Sequence, residues 1–496
     1  MSRTLTIDVA SDDLFDMPAE TLVVGVFTGG IEGPGVEAVI GRLGLPALPL
    51  TPQFRGDIGQ HLALATPGLR SATVLFVGLG RMIATDDERL RQAALIAVRC
   101  GELSGRVVTT LAQVHPAPGA IAAVAEGFHL GAARDRRFVS TTDNRPALEH
   151  VTILVPSGLL REGARAVQRS AVTAQATIAA RDLVNTPPNH KPPVALAEQL
   201  GEIAGQACDA EFYDEAALTR AGFGGLLTVG RGAANPPCLL ELRYEPEEPL
   251  GHVVLCGKGT VFDAGGLALR DSGAMAQTKA DMAGAAAVAA ACGALGELDV
   301  RVRVTALLGL VESMPSGDAV RPGDVVRSRG GTPIEINDPD ADGQLVLADL
   351  LDLARTHDPD AVVDVASIGG AAVAALGRYA GAVMGNDQDL VDALLAAARR
   401  SGEQLWQLPL WDELDRRLIS HVADVLTNDT KAGGGAIVAG QFLHRFAKDL
   451  SWAHVDCSGP AFIPTDLATP ARPPGGSGYG VRTLLAWLEH RTAHPA

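Results

Sequence analysis

Two polar stretches occur where the sequence otherwise reads as buried strand. The first runs Gly257-Lys258-Gly-Thr-Val-Phe-Asp263-Ala-Gly-Gly and reaches, after a loop, Lys279-Ala-Asp281-Met. The second is Asn337-Asp338-Pro-Asp340-Ala-Asp342-Gly343-Gln344. Asp340 and Asp342 are two apart, so on an extended segment both carboxylates point to one side. Carboxylates so placed repel unless a cation or a proton sits between them. Asp263 and Asp281 end or follow apolar segments, where an unpaired carboxylate is costly. Four carboxylates converging on one strand edge suit hard or borderline divalent cations such as Mn²⁺, Mg²⁺ or Zn²⁺.

The second stretch also carries the start of a calcium loop, Asp338-x-Asp340-x-Asp342-Gly343, with Leu345 at the usual apolar position. Three features weigh against that reading. Position twelve is Asp349 instead of a bidentate glutamate, the entering Pro333-Ile-Glu-Ile reads as strand, and no second copy exists. Gly257-Lys258-Gly259 lacks the spacing of a phosphate-cradling loop, and neither H-E-x-x-H nor G-x-S-x-G occurs. His454 taken alone reads as a core or surface histidine, and Lys258 taken alone as a surface charge beside a turn.

Ligands in open α/β sheets sit beyond the carboxyl ends of strands, so the surrounding elements decide whether these side chains meet. Apolar runs at Thr21–Phe27, Ala72–Leu79, Val107–Leu111 and Val151–Val155 predict buried strands. Asp86–Cys100 and Ala120–Leu130 have helical length and spacing. Their alternation predicts a smaller, wound α/β domain over residues 1–160. A helical pattern from Glu162 to Val184 stops before Asn185-Thr-Pro-Pro-Asn-His, because a residue preceding proline is pushed out of the α region. Residues 161–189 thus read as a connector into a larger α/β domain, 190–496, with a central mixed sheet. There, strands are expected at Val253–Cys256, Val302–Leu308, Pro333–Ile336, Ala361–Ala366 and Ala453–Cys457. Helices are expected at Met282–Leu295, Leu345–Arg355, Gln388–Arg399, Gly435–Lys448 and Val481–His490. Pro470–Gly480 reads as an ordered loop before the last helix.

The 496 residues are too many for one hydrophobic core. Aromatics make up only 4%, which leaves the core to Ala, Val and Leu. A net charge of −17 with scattered basic residues argues against nucleic acid as a partner. Six cysteines without a C-x-x-C pair read as reduced, buried thiols. The opening residues show no basic region followed by an apolar stretch, and the run Met282–Leu295 is too short to span a bilayer. The expectation is a cytoplasmic protein without a membrane partner.

Several blocks, in order over roughly residues 170–490, resemble the leucyl (cytosol) aminopeptidase family. They are Arg181-Asp-Leu-Val-Asn-Thr-Pro-Pro-Asn, the Gly257–Gly266 stretch, and Val311-Glu-Ser-Met-Pro-Ser-Gly-Asp-Ala-Val-Arg-Pro-Gly-Asp, followed by Leu345-Val-Leu-Ala-Asp and Trp452-Ala-His-Val-Asp. The resemblance implies that Lys258, Asp263, Asp281, Asp340 and Asp342 hold two divalent ions, Mn²⁺, Zn²⁺ or Mg²⁺. A lysine ligand needs a neutral amine, which a neighbouring dication supplies by depressing its pKa. The resemblance further implies a peptide or amino-acyl amide substrate whose free α-amine and scissile carbonyl bind the metals while a bridging water attacks. Ser367, Ile368, Gly369 and Gly370 would line the substrate cleft, Thr278 would help form the first side-chain pocket, and the chain would assemble as a homohexamer.

Three positions depart from the family's Asn-Thr-Asp-Ala-Glu-Gly-Arg-Leu and from its loop lysine. Asp342 replaces a bridging glutamate, Gln344 an arginine that holds a bicarbonate proton shuttle, and Arg270 the electrophilic lysine. Arg270 and Gln344 are therefore the catalytic candidates, since a cation can still stabilise an oxyanion while the shuttle is lost. Two readings follow. One is an active metallo-aminopeptidase, or a hydrolase of another amide. The other is a relative without turnover that binds, assembles or regulates.

Overall fold

The computed structural model describes residues 5–67, 70–101, 103–140, 147–428 and 433–493. They fall into two compact units, Met1–Ile178 with Asp466–Pro473, and Ala179–Thr465 with Pro474–Ala496. The helical pattern expected from Glu162 to Val184 is realised as one helix, Leu160–Asn185, and the division between units falls inside it. Residues 1–4, where the chain-start reading begins, lie outside the described residues.

The first unit is a wound α/β domain. Its sheet runs Thr6–Ala10, Leu148–Leu154, Gly105–Thr109, Thr21–Phe27, Thr73–Gly80, His61–Ala65. The first five strands are parallel and the last is an antiparallel edge. Thr21–Phe27 is buried along its whole length, as a parallel strand covered on both faces must be, which explains its unbroken apolar run. The helices Asp87–Cys100 and Pro118–Ala132 cover one face, and the Asp86 carboxylate caps the first by accepting from the Arg89 amide. The strand expected at Val107–Leu111 ends at Thr109, and Leu111 instead opens a short 3₁₀ turn.

The second unit is built on the expected mixed sheet. Its eight strands run Gln404–Gln407, Ala380–Gly385, Trp452–Asp456, Ala361–Ala366, His252–Asp263, Arg303–Ser313, Cys238–Tyr244, Asp209–Tyr213. The central four are mutually parallel, and their immediate outer neighbours Ala380–Gly385 and Cys238–Tyr244 run antiparallel to them. Pro333–Glu335 belongs to a separate three-stranded sheet with Val325–Arg327 and Val425–Leu426. The two central strands were expected to end at Cys256 and Leu308 but continue to Asp263 and Ser313. Lys258 therefore lies on a strand, not on a loop following one.

Helix Ala283–Ala294 covers one face of these strands and helix Asp342–Ala354 the other. Ala and Gly dominate the first helix because it packs almost against the backbone. A Cβ on Gly257 would lie 2.7 Å from the Ala285 Cα, and one on Gly284 would lie 2.0 Å from the Val365 carbonyl oxygen. Gly284→Ala should therefore overpack this seam, at about 1–3 kcal/mol. Thermal melting is expected to show a Tm lower by roughly 5 °C; an unchanged Tm would mean that the helix can lift off the sheet freely.

No described helix is long and apolar enough to cross a membrane. All six cysteines are free thiols, four of them buried.

Candidate metal centre and substrate cleft

The site begins with a register fault in the strand His252–Asp263. Residues two apart share a face, so Lys258 and Thr260 both point toward helix Asp342–Ala354. Strict alternation would send Asp263 to the opposite face. Thr260 pairs with Val311 and Asp263 with Ser313, so three steps on one strand match two on its neighbour. The extra residue is a β-bulge, and it returns Asp263 to the side of Lys258.

Lys258 is 1% exposed and uses all three ammonium protons. It donates to Asp281 Oδ2 at 2.6 Å, to Asp342 Oδ1 at 3.1 Å and to the Ser367 carbonyl at 3.0 Å. Burial works against its charge, but Asp281, Asp342 and Asp263 outweigh it, so the ammonium titrates above the ordinary lysine range. Asp281 follows the 3₁₀ turn Thr278–Ala280, and its Oδ1 accepts from Ser367 Oγ at 2.5 Å. Burial pushes its carboxyl up to about 6. The Thr278 hydroxyl donates to the Met275 carbonyl and accepts from the Asp263 amide at 3.3 Å, so it braces the bulge. Asp263 has no exposed surface; burial, then Asp342 and Asp281, push it well above the usual carboxylate range.

Asp340 and Asp342 do not share an extended segment, contrary to the expectation from their spacing. Pro339 and Asp340 form a turn, and Asp342 is the first residue of the helix Asp342–Ala354. Asp342 faces inward, accepting from Lys258 and, at 2.7 Å, from Thr260 Oγ1. One carboxylate oxygen each from Asp263, Asp281 and Asp342 lie within 4.8 Å of one another, and Asp340 stands outside that group. Its Oδ1 instead accepts from Arg270 Nε at 2.5 Å, while Arg270 Nη2 donates to Asp263 Oδ2. Gln344 is buried and donates through Nε2 to the Thr427 carbonyl at 2.9 Å. Asp349, the twelfth position of the calcium reading, points elsewhere and accepts from the Leu226 and Arg329 amides.

These residues floor two adjoining hollows. Lys258, Arg270, Thr278, Asp281 and the segment Ser367–Gly370 line a cleft of about 390 Å³, with Ala274, Val373, Ala461 and Phe462 as its apolar wall. Asp338, Asp340, Gln344, Asn428 and Asp456 line a second of about 210 Å³, and Ile368, Gly369 and Gly370 border both. All of the predicted site residues thus meet around one strand end, with Asp263 and Asp342 buried beneath. Like charges within 4.8 Å fit a multivalent cation, since two of the carboxylates can otherwise be offset only by the single Lys258 ammonium and one by Arg270. With all four carboxylates ionised, Lys258 and Arg270 leave two negative charges uncompensated.

Thr260 and Lys191 escape the sequence reading. Thr260 has a signal, since it is two residues from Lys258 on the same strand face. Lys191 has none: wholly buried, it donates to the Leu183 and Lys279 carbonyls at 2.8 and 2.7 Å and ties the end of the long helix to the turn before Asp281.

Fold and site together define an α/β protein that gathers carboxylates and a buried lysine at the carboxyl end of a mixed sheet, under a peptide-sized cleft. The family model for the cytosol aminopeptidase family, catalytic domain, matches residues 178–485, and that for its N-terminal domain matches residues 23–142. The chain belongs to the cytosol aminopeptidase family and is a peptidase. It is 39% identical over 496 residues to a probable cytosol aminopeptidase of a Geobacter species, covering 98% of this chain and 100% of that one. Against a probable cytosol aminopeptidase of Leifsonia xyli it is 40% identical, with 95% of each chain covered. Among solved structures, the bottromycin maturation enzyme BotP in complex with Mn superposes with a TM-score of 0.84 at 38% identity, over 96% of this chain and 100% of that one. A variant of tomato leucine aminopeptidase gives 0.85 at 28% identity, over 98% and 97%.

Proposed function

We propose that this chain is a metal-dependent aminopeptidase that releases the N-terminal residue of a peptide or amino-acyl amide. Divalent ions, Mn²⁺ or Zn²⁺, would be held at Lys258, Asp263, Asp281, Asp340 and Asp342. The observation that carries this reading is the convergence of Asp263, Asp281 and Asp342 around Lys258 at the floor of the cleft. A bound dication supplies Lewis-acid polarisation of the scissile carbonyl and a water of lowered pKa.

The chain's own groups bind and orient. A free α-amine entering the cleft meets carboxylates, which an ammonium can pair with, whereas an acylated terminus offers them no positive charge. Ile368, Val373, Ala461 and Phe462 accept an apolar first side chain. Arg270 brings guanidinium donors to the cleft edge, where they stabilise charge developing on the carbonyl oxygen. Being always protonated, Arg270 moves no proton. Gln344 is uncharged and its amide is committed to Thr427, so it does not clamp an anion as an arginine would. The family resemblance also brings a homohexamer into the proposal. Trp406, Trp411, Ile419 and Val422 are each more than half exposed along one stretch of chain, apolar surface of the kind that subunit contacts cover.

Protein stripped by a chelator and then given Mn²⁺ should gain stability and hydrolyse amino-acyl anilides. Saturation at 100-fold over Kd contributes about 2.7 kcal/mol, read as a Tm rise of roughly 5 °C. No turnover on any anilide or dipeptide despite bound metal would overturn the aminopeptidase reading. Absence of both bound metal and thermal shift would overturn the metal site.

A further inference from the structure

The two halves of the carboxylate floor differ in what already fills them. Around Lys258, the Asp263, Asp281 and Asp342 oxygens crowd together with no guanidinium between Asp281 and Asp342. Between Asp263 and Asp340 the position is bridged by the fork of Arg270, through Nη2 to Asp263 Oδ2 and through Nε to Asp340 Oδ1 at 2.5 Å. We propose that Arg270 is a built-in competitor for the second divalent ion: its guanidinium holds the Asp263–Asp340 pair, so the two ions bind unequally and the second must displace it. This inference rests on the metal reading above.

The loop is built to deliver that fork. The Arg270 amide donates to the Ala264 carbonyl at 2.9 Å and the Ala268 amide to the Gly265 carbonyl at 3.0 Å, which closes the loop over the end of the bulged strand. Gly265 has φ +83°, and a Cβ there would lie 2.9 Å from Asp340 Oδ1 and 3.1 Å from Arg270 Cγ. Glycine thus permits the left-handed turn and the approach of Arg270 to Asp340. Asp263 Oδ1 is meanwhile taken by the Gly265 amide at 2.8 Å, so both oxygens of Asp263 are engaged. A lysine at this position would present one compact charge. Arginine presents a planar fork that makes two charge-assisted bonds at once and never loses its proton, so only displacement of the whole group frees the carboxylates. The charge balance agrees. With all four carboxylates ionised, Lys258 neutral as a metal ligand must be, and Arg270 in place, three negative charges stand uncompensated, enough for one dication and not for two. Once displaced, the side chain has the cleft it already lines to turn into, where its donors serve the substrate.

The test titrates chelator-stripped, full-length protein with Mn²⁺ by calorimetry, with native mass spectrometry counting the ions. Wild type should bind in two steps whose affinities differ by more than about 10-fold. Arg270→Gln should leave the first step within about threefold and tighten the second by more than about 100-fold, the scale of two charge-assisted hydrogen bonds no longer opposing the ion. Asp340→Asn should abolish the second step and keep the first, which also reports that the fold is intact. Two equal steps in wild type, or a second step that Arg270→Gln leaves in place, would overturn the inference. No Mn²⁺ bound by any form would overturn it together with the metal reading. Two unequal steps that close up in Arg270→Gln support it whether or not turnover follows, so it and the aminopeptidase reading fail separately.

Discussion

Replacing Lys258 with methionine is expected to lower kcat/KM for an amino-acyl anilide by on the order of 100- to 1000-fold and to lower the Tm of the metal-free protein by about 10 °C. Methionine keeps most of the buried volume, so packing alone predicts a mild effect. Charge predicts a severe one. Three carboxylates within 4.8 Å would lose the one cation that touches two of them, and the Ser367 carbonyl would lose its donor. Removing one partner of a buried ion pair costs roughly 3–5 kcal/mol, because the other charges stay behind. Mn²⁺ should recover much of the lost stability but not the activity, since the ion restores positive charge and not the nitrogen. A variant within 10-fold of wild-type activity would remove Lys258 from the site; unchanged stability of the metal-free form would show that the carboxylates are neutral without it.

The second large effect lies under the site. Asp364, on the central strand Ala361–Ala366, is wholly buried and accepts from Trp452 Nε1 at 2.6 Å through one oxygen and from His454 Nδ1 through the other. Among the described residues His454 Nε2 has no hydrogen-bond partner, so Asp364 is what holds the imidazole. Asp364→Ala leaves a buried indole N–H and a buried imidazole unpaired, at roughly 3–5 kcal/mol. A Tm fall of about 10 °C is expected. The loss should depend on pH. Burial opposes the imidazolium, but the Asp364 carboxylate outweighs it, so His454 titrates above its ordinary 6.5. A raised folded-state value means that this stabilisation is complete below pH 6.5 and is lost as pH rises through the folded value. The Tm difference between wild type and Asp364→Ala should therefore be larger at pH 6 than at pH 9. An equal difference at both would mean that the pair is neutral throughout.

The parts of the fold that burial on two faces imposes were readable from hydrophobicity alone. Thr21–Phe27 is a strand with the predicted bounds, Ala361–Ala366 likewise, and the long helix differs by two residues at its start and one at its end. Edge strands with a solvent face were not. Thr6–Ala10, His61–Ala65 and Asp209–Tyr213 are edge strands, partly or mostly exposed, and carry the polar residues that an edge allows. Cys238–Tyr244 was hidden for another reason. It buries Glu241 within a central sheet, which is acceptable because Arg243 donates to it at 2.7 Å, a pairing that sequence does not announce.

The site divides in the same way. Asp263 and Asp281 could be suspected from carboxylates set against apolar segments, Asp342 from its spacing to Asp340, and Lys258 only through the family resemblance. The bulge that turns Asp263 inward is a matter of register between two strands, invisible along one chain. The start of the helix at Asp342 separates two acids that spacing had paired, and the departure Arg270 acquires its meaning only from the carboxylates it bridges.

Hydrolysis of a peptide with a free N-terminus beside its N-acetylated twin, by the Mn²⁺-loaded protein, tests the central claim most directly. The account predicts stepwise release of single N-terminal residues from the free peptide, identified by product mass, and no cleavage of the acetylated one. Equal cleavage of both, or cleavage at internal bonds, would contradict it.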